Sequence, residues 1–133
     1  MKIAVICANG KEGKLIVEEA ITKGADVTAV VRGENQSKAT KVIQKDLFDL
    51  TVTDLEDFDV VIDAFGAWTP ETLPQHSTSL KHLCDLVSGK ETRLLVVGGA
   101  GSLYVNPEHT VQVMDGADFP EVFKPLASHM GKA

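Results

Sequence analysis

Lys2-Ile-Ala-Val-Ile-Cys-Ala-Asn-Gly-Lys-Glu-Gly13 opens the chain, an amphipathic stretch follows from Lys14 to Lys23, and a second apolar run, Val27 to Val31, stops at Arg32. Lys2 to Ile6 reads as a buried strand, residues 7–13 as a glycine turn, the amphipathic stretch as a helix and the second run as another strand. That order is the first βαβ unit of a dinucleotide-binding domain. Its glycines let the backbone approach a pyrophosphate, and the start of the helix offers amide donors and a favourable dipole.

Within the turn the spacing is G-x-x-G-x-x-G with Cys7 at the first position. Gly10 is placed where a side chain would collide with phosphate, and Gly13 where the helix must lie close to the first strand. Cys7 carries a Cβ at the point where the chain makes its tight exit from the strand. It therefore has to tolerate that backbone conformation, or affinity for the cofactor falls. A plain strand-turn-helix without a ligand is the alternative.

Arg32 bears on which dinucleotide is held. An acidic residue about twenty positions past the glycines bonds the ribose 2′-hydroxyl of NAD, whereas arginine there accommodates a 2′-phosphate. A guanidinium fork matches phosphate geometry, so NADP is expected ahead of NAD; an ordinary solvated arginine is the alternative. Asn35, Ser37 and Lys38 follow in a polar loop that could help hold the same phosphate.

The chain has 133 residues, 44% hydrophobic and 24% charged, which is the balance of one soluble, cytoplasmic globular domain over 1–133. A net charge of −6 and a pI near 5.1 argue against nucleic acid as a main partner. Cys7 and Cys84 read as reduced thiols rather than a disulfide framework. The apolar start breaks at Asn9-Gly10, too early for a signal peptide, and no stretch approaches membrane-spanning length. His76, His82, His109 and His129 match no zinc spacing, so no metal is expected.

Strand and helix patterns continue to alternate. Thr40 to Gln44 is a strand candidate, Leu50 to Phe58 alternates apolar and acidic residues, and Val60 to Ala64 is a clear strand. A loop with Trp68, Pro70 and Pro74 fills 67–76, and Ser77 to Val87 has helical spacing that Gly89 ends. Arg93 to Val97 is a fifth strand running into Gly98-Gly99-Ala100-Gly101-Ser102, and ligands bind beyond such carboxyl ends. The pattern predicts an α/β fold: a Rossmann-type doubly wound parallel sheet, strand order 3-2-1-4-5, with helices on both faces. Asp57, Asp59 and Asp63 around strand four read as solvated turn acids. Phe65 and Trp68 are candidates either to stack on a planar ring or to pack in a core or lid. Ser102 and Tyr104, just past strand five, are candidate catalytic hydroxyls that could orient an acceptor or pass a proton, or else simple loop residues.

Taken together, residues 2–13, Val27 to Arg32, Lys45-Asp-Leu-Phe-Asp, Asp59 to Trp68 and Leu94 to Leu103 resemble the atypical short-chain dehydrogenase/reductases. The branch they most resemble is the NAD(P)-binding NADH-flavin reductase group, with flavin reductase/biliverdin reductase B and NmrA-like relatives. The likeness covers nearly the whole chain. It implies a bound nicotinamide dinucleotide and hydride delivery to a flavin or similar planar acceptor. By position, Cys7, Ala8, Asn9, Gly10, Lys11, Glu12 and Gly13 would cradle the pyrophosphate, Arg32 the 2′-phosphate, and Asp46 and Leu47 would border the adenine. Ala64, Phe65 and Gly66 would line the middle of the cofactor, and Gly98 and Gly99, with the loop to Ser102, would face the nicotinamide.

The chain lacks the Tyr-x-x-x-Lys pair of ordinary short-chain dehydrogenases, because Tyr104 has no lysine three or four residues later. Direct hydride transfer asks mainly for positioning and needs such a pair less than alcohol oxidation does. The chain also stops at Ala133 within a helix-like stretch, where proteins of this kind continue. The sequence thus leads to an NADP(H)-binding reductase, with a non-catalytic NmrA-like redox sensor or truncated pseudoenzyme as the alternative. A sheet edge left open would favour a homodimer.

Overall fold

The computed structural model describes all 133 residues, Met1–Ala133. Five strands, β1 (Lys2–Ile6), β2 (Asp26–Val31), β3 (Lys41–Gln44), β4 (Val60–Asp63) and β5 (Arg93–Val96), alternate with helices α1 (Lys11–Thr22), α2 (Val52–Leu55) and α3 (Gln75–Val87), and α4 (Lys124–Lys132) closes the chain. The strands form one parallel sheet in the order β3-β2-β1-β4-β5. This is the Rossmann-type order that the alternation predicts. No helix is long and apolar enough to cross a membrane.

Chain contacts gather into two units. The first comprises 1–66 and 82–97 and holds the whole sheet; the second comprises 67–81 and 98–133. In the first, successive side chains of a strand point to opposite faces, so a sheet covered on both sides needs continuous apolar runs. Ala4, Ile6, Val30 and Val61 point to one face, where Leu47, Leu50, Leu55 and Leu83 pack on them. Val5, Ala29 and Val31 point to the other, against Val17, Ile16 and Ala20 of α1. Burying each such aliphatic side chain contributes about 1.5–3 kcal/mol.

The register places the functional end. Ile6 pairs with Val30 on one side and Asp63 on the other, so β1 and β4 finish level and β2 one residue beyond them. The order reverses at β1, whose two neighbours are β2 and β4, and a crevice opens outside the carboxyl ends at such a point. The glycine turn after β1 and residues 64–66 after β4 both leave the sheet there.

Element ends differ from the sequence expectation where polar residues begin a helix. α1 starts at Lys11 rather than Lys14 because Gly10, extended at φ −70° and ψ 167°, caps it, and the Gly10 carbonyl accepts from the Lys14 amide at 2.9 Å. Periodicity marks the buried face of a helix, and this first turn is exposed apart from Gly13. The stretch expected to alternate from Leu50 to Phe58 holds the single turn of α2, and a 3-10 turn at Leu47–Asp49 precedes it. Asp54 Oδ2 fixes α2 by accepting from the Thr51 amide at 2.9 Å and by pairing with Lys45 at 2.9 Å. α3 takes the last two residues expected in the loop, beginning at Gln75 directly after Pro74. Gly89 follows its end at φ 73°, the left-handed region that favours glycine.

One acid is corrected. Asp63 is not a solvated turn residue: it is 4% exposed at the end of β4, and its Oδ1 accepts from the Phe65 amide at 3.0 Å. Asp59 is exposed as expected and accepts from the Lys2 amide at 2.7 Å, tying the starts of β4 and β1.

Helix α1 packs on the end of β1 at Gly13. A Cβ there would collide with the Cys7 carbonyl oxygen and come within 2.8 Å of Ala8 Cα. Backbone cannot swing aside as a side chain can. Gly13→Ala should therefore destabilise by about 1–3 kcal/mol, read as a lower denaturation midpoint, although alanine is the better helix former; an unchanged midpoint would show that α1 can move off β1.

Candidate functional site

At the carboxyl end of β1, Cys7 takes φ 61°. Its amide donates to the Val30 carbonyl at 3.0 Å, and its own carbonyl accepts from Gly10 at 3.1 Å. The first turn position thus has the left-handed backbone that favours glycine, and a cysteine occupies it at a cost of about 1–2 kcal/mol. Cys7 tolerates the conformation, as an intact turn requires. Gly10 is tight for a larger residue, since a Cβ would stand 3.3 Å from the Cys7 oxygen and the backbone would have to give slightly.

Gly10 has no side chain with which to cap α1, and the amides of Lys11, Glu12 and Gly13 have no acceptor in the chain. Three donors at a helix start, at the switch point of a parallel sheet and beside a glycine that admits close approach, fit an anionic group such as a pyrophosphate. Ala8 is fully buried and contributes backbone; Lys11 and Glu12 are exposed.

Arg32, one residue beyond β2, is exposed and forms no hydrogen bond or ion pair, yet its charge reaches the Cys7 thiol. Lys38, Ser37 and Asn35 are differently placed. Lys38 Nζ is paired with Glu18 at 2.9 Å, and the Ser37 hydroxyl donates to Asn35 Oδ1 at 2.6 Å. Asn9 reaches across to this same loop, donating to the Glu34 carbonyl at 2.8 Å and accepting from the Gln36 amide at 2.7 Å. Sequence reasoning found Asn9 but not Glu34 or Gln36, because nothing in the pattern marks bonds made through the backbone of a polar loop.

Asp46 caps the 3-10 turn after β3, its Oδ1 accepting from the Phe48 amide at 2.9 Å. Leu47 is 5% exposed, so its side chain belongs to the core. After β4, Ala64 continues the sheet bonding with a 3.2 Å hydrogen bond to the Ile6 carbonyl, Phe65 packs partly buried on the core and Gly66 is exposed. These residues and the turn lie in the first unit, at one end of its sheet.

Gly98, Gly99, Ser102 and Tyr104 lie in the second unit. Two of its glycines are explained by helix packing. A Cβ on Gly101 would fall 2.7 Å from Ala127 Cβ, and one on Gly99 3.3 Å from the Met130 thioether. In return, a Cβ on Gly131 of α4 would fall 2.7 Å from Ser102 Cβ. Gly98 meets nothing within 4 Å. Tyr104 is exposed; it bridges to Gln112 and its ring stacks on His109 at 4.9 Å and 11°. Trp68 is 75% exposed, which excludes the core-packing alternative for it.

A shallow concavity of about 340 Å³ lies at the other end of the strands, lined by Lys2, Asp26, Lys41 and Asp54 among others. Its charges are largely matched already, Lys41 to Asp26 at 2.8 Å and Asp54 to Lys45 at 2.9 Å, and the strands of a doubly wound sheet do not present ligand loops at their amino ends.

A solved structure from Streptococcus pneumoniae TIGR4, of a protein named there as "a putative NADH-flavin reductase", matches with a TM-score of 0.94 and 57% identity, over 99% of this chain and 63% of that one. Neighbours of this kind are consistent with the atypical short-chain dehydrogenase/reductase group that the sequence resembles. The Lmo0794 protein of Listeria monocytogenes, also solved, is 46% identical with a TM-score of 0.68, over 78% of this chain and 63% of its own. The uncharacterized protein YwnB of Bacillus subtilis (strain 168) is 42% identical over 135 residues, 99% of this chain and 63% of its own. The chain spans a little under two thirds of the length of these three relatives. No family model matches it.

The cysteine distinguishes this turn from an all-glycine one. Burial pushes the Cys7 thiol up to about 11, with Asp63 adding to the rise, Arg32 opposing it and Asp46 adding a little more. The thiol is therefore neutral through the physiological range, and whatever stability it lends is present below the ordinary thiol value and lost as pH rises through about 11. Iodoacetamide at about pH 8 should label exposed Cys84 and leave Cys7 essentially unmodified, since the thiolate is the nucleophile. Peptide mass mapping that finds both labelled at similar rates would contradict the burial of Cys7.

Proposed function

We propose that the chain binds a nicotinamide dinucleotide, NADP(H) ahead of NAD(H), and serves transfer of hydride to a flavin, quinone or similar planar acceptor. One observation carries the reading: three unclaimed helix-start amides and one unpaired guanidinium stand at the same end of the sheet, where a dinucleotide presents its pyrophosphate and its 2′-phosphate. The name borne by the Streptococcus protein supports a flavin acceptor. The dinucleotide supplies the hydride when bound; the chain's own part is to hold the phosphates, keep the neutral Cys7 thiol beside them and fix the register of the loops.

A second reading, binding without turnover, is favoured by the state of the candidate hydroxyls. Tyr104 is exposed and engaged with His109, and no lysine follows it at the required spacing. NADPH oxidation with free flavins and quinones, measured on protein already shown to bind the dinucleotide, separates the two. A rate above the protein-free control supports the reductase, and no excess supports the binding protein.

Calorimetric titration should show NADPH bound more tightly than NADH. Arg32→Ala should weaken NADPH about tenfold to a hundredfold, the range of a charged hydrogen bond to phosphate, and leave NADH within about twofold. An equal loss for both would refute the 2′-phosphate role of Arg32.

A further inference from the structure

Among the side chains of the glycine turn, Asn9 alone hydrogen-bonds to another segment. One primary amide, partly buried, makes two bonds to backbone 25 and 27 residues away: Nδ2 to the Glu34 carbonyl at 2.8 Å and Oδ1 from the Gln36 amide at 2.7 Å. The loop so held is already stiff. Asn35 Oδ1 accepts from the Ser37 amide at 3.0 Å, Asn35 Nδ2 donates to the Ala39 carbonyl at 2.7 Å, and Lys38 fastens the far side to Glu18 of α1. With Asn35, Ser37 and Lys38 committed to the loop itself, Arg32 at its root is the cation without a partner.

We propose that Asn9 is a positioning residue for cofactor choice: by bridging the glycine turn to Glu34 and Gln36, it sets the spacing between the pyrophosphate turn and the Arg32 loop to that of the two phosphate groups of NADP. This rests on the dinucleotide reading given above. A ligand held at two points gains from the second only if the two receivers are already at the right separation. The turn is fixed by the sheet and by Gly13; apart from Asn9, the loop after β2 is held at its root by β2 and at its far side by Lys38 on Glu18 and by buried Ala39, and neither tie reaches the turn at the level of Glu34 and Gln36. Asn9 uses both a donor and an acceptor, so alanine loses the bridge entirely. NADH places no phosphate at the loop and has nothing to lose there.

The test is titration of wild type, Asn9→Ala and Arg32→Ala with NADPH and with NADH, alongside thermal melting. Asn9→Ala should weaken NADPH about tenfold, the order expected for two modest hydrogen bonds, and leave NADH within about twofold. If both cofactors weaken equally, Asn9 only shapes the turn and the proposal is overturned. If Arg32→Ala erases the NADPH preference while Asn9→Ala keeps it, the proposal fails and the dinucleotide reading stands. If wild type binds neither cofactor, or shows no preference for Arg32→Ala to erase, the dinucleotide reading has failed and takes this one with it. Should Asn9→Ala not fold, Gln36→Pro removes the amide that Asn9 accepts from and leaves the turn untouched. A selective loss of NADPH about half as large in free energy, roughly threefold, is then expected because the Asn9 bond to the Glu34 carbonyl remains, and an unchanged preference overturns the proposal.

Discussion

The contact on which the rest depends is the close approach of α1 to the end of β1. With Gly13 against the Cys7 carbonyl and Ala8 Cα, the helix begins directly over the strand it follows, and its first three amides emerge beside the sheet's switch point. Separating the two by one methyl group would tilt the helix, draw Val17 and Ile16 out of their packing on Val5 and Ala29, and move the donors away from Arg32. Stability and anion recognition thus share one geometric condition. That coupling explains why a strained residue persists at Cys7: the chain can enter the helix within so short a distance only through a left-handed residue.

Electrostatics at this end are local. The chain carries a net charge of −6, and Asp63 and Asp46 are near enough to raise the Cys7 thiol, so the overall field does not favour an anion. What favours it is directional: oriented amides without acceptors and one guanidinium without a carboxylate partner. Two cations of the adjoining loops are already matched, Lys38 with Glu18 and Lys45 with Asp54. On the proposed reading, selectivity between two dinucleotides that differ by one phosphate rests on Arg32 and on how firmly its loop is held.

Much of this was legible in the sequence because a parallel sheet buried on both faces demands unbroken apolar runs, and β1, β2, β4 and β5 fall within one residue of those runs. Gly10 and Gly13 were legible because their neighbours in sequence define the strand and helix they join. Other features depend on partners far along the chain. Gly99 and Gly101 resemble a second ligand turn, yet they face Met130 and Ala127, about thirty positions on, and no local pattern distinguishes a glycine cleared for a helix from one cleared for a ligand. Asp63 reads as solvated because it ends a strand, where exposure is the ordinary expectation, whereas its register between Ile6 and Val96 buries it. Asn9 was recognisable as a turn residue, but its acceptor and donor belong to backbone and carry no residue signature.

The departure at the first glycine position is best understood as two effects that nearly cancel. A left-handed cysteine costs about 1–2 kcal/mol, while packing its side chain against the cluster around Ile6 and Val30 recovers about 1 kcal/mol. Glycine would relieve the first and forgo the second, so the fold tolerates either. The consequence for an anion site is decided by the proton. A thiolate between Asp63 and Asp46 would add a third negative charge beside the helix start, whereas a thiol held up to about 11 by burial adds none. The burial that offsets the strain also holds the thiol neutral to a higher pH than a free cysteine.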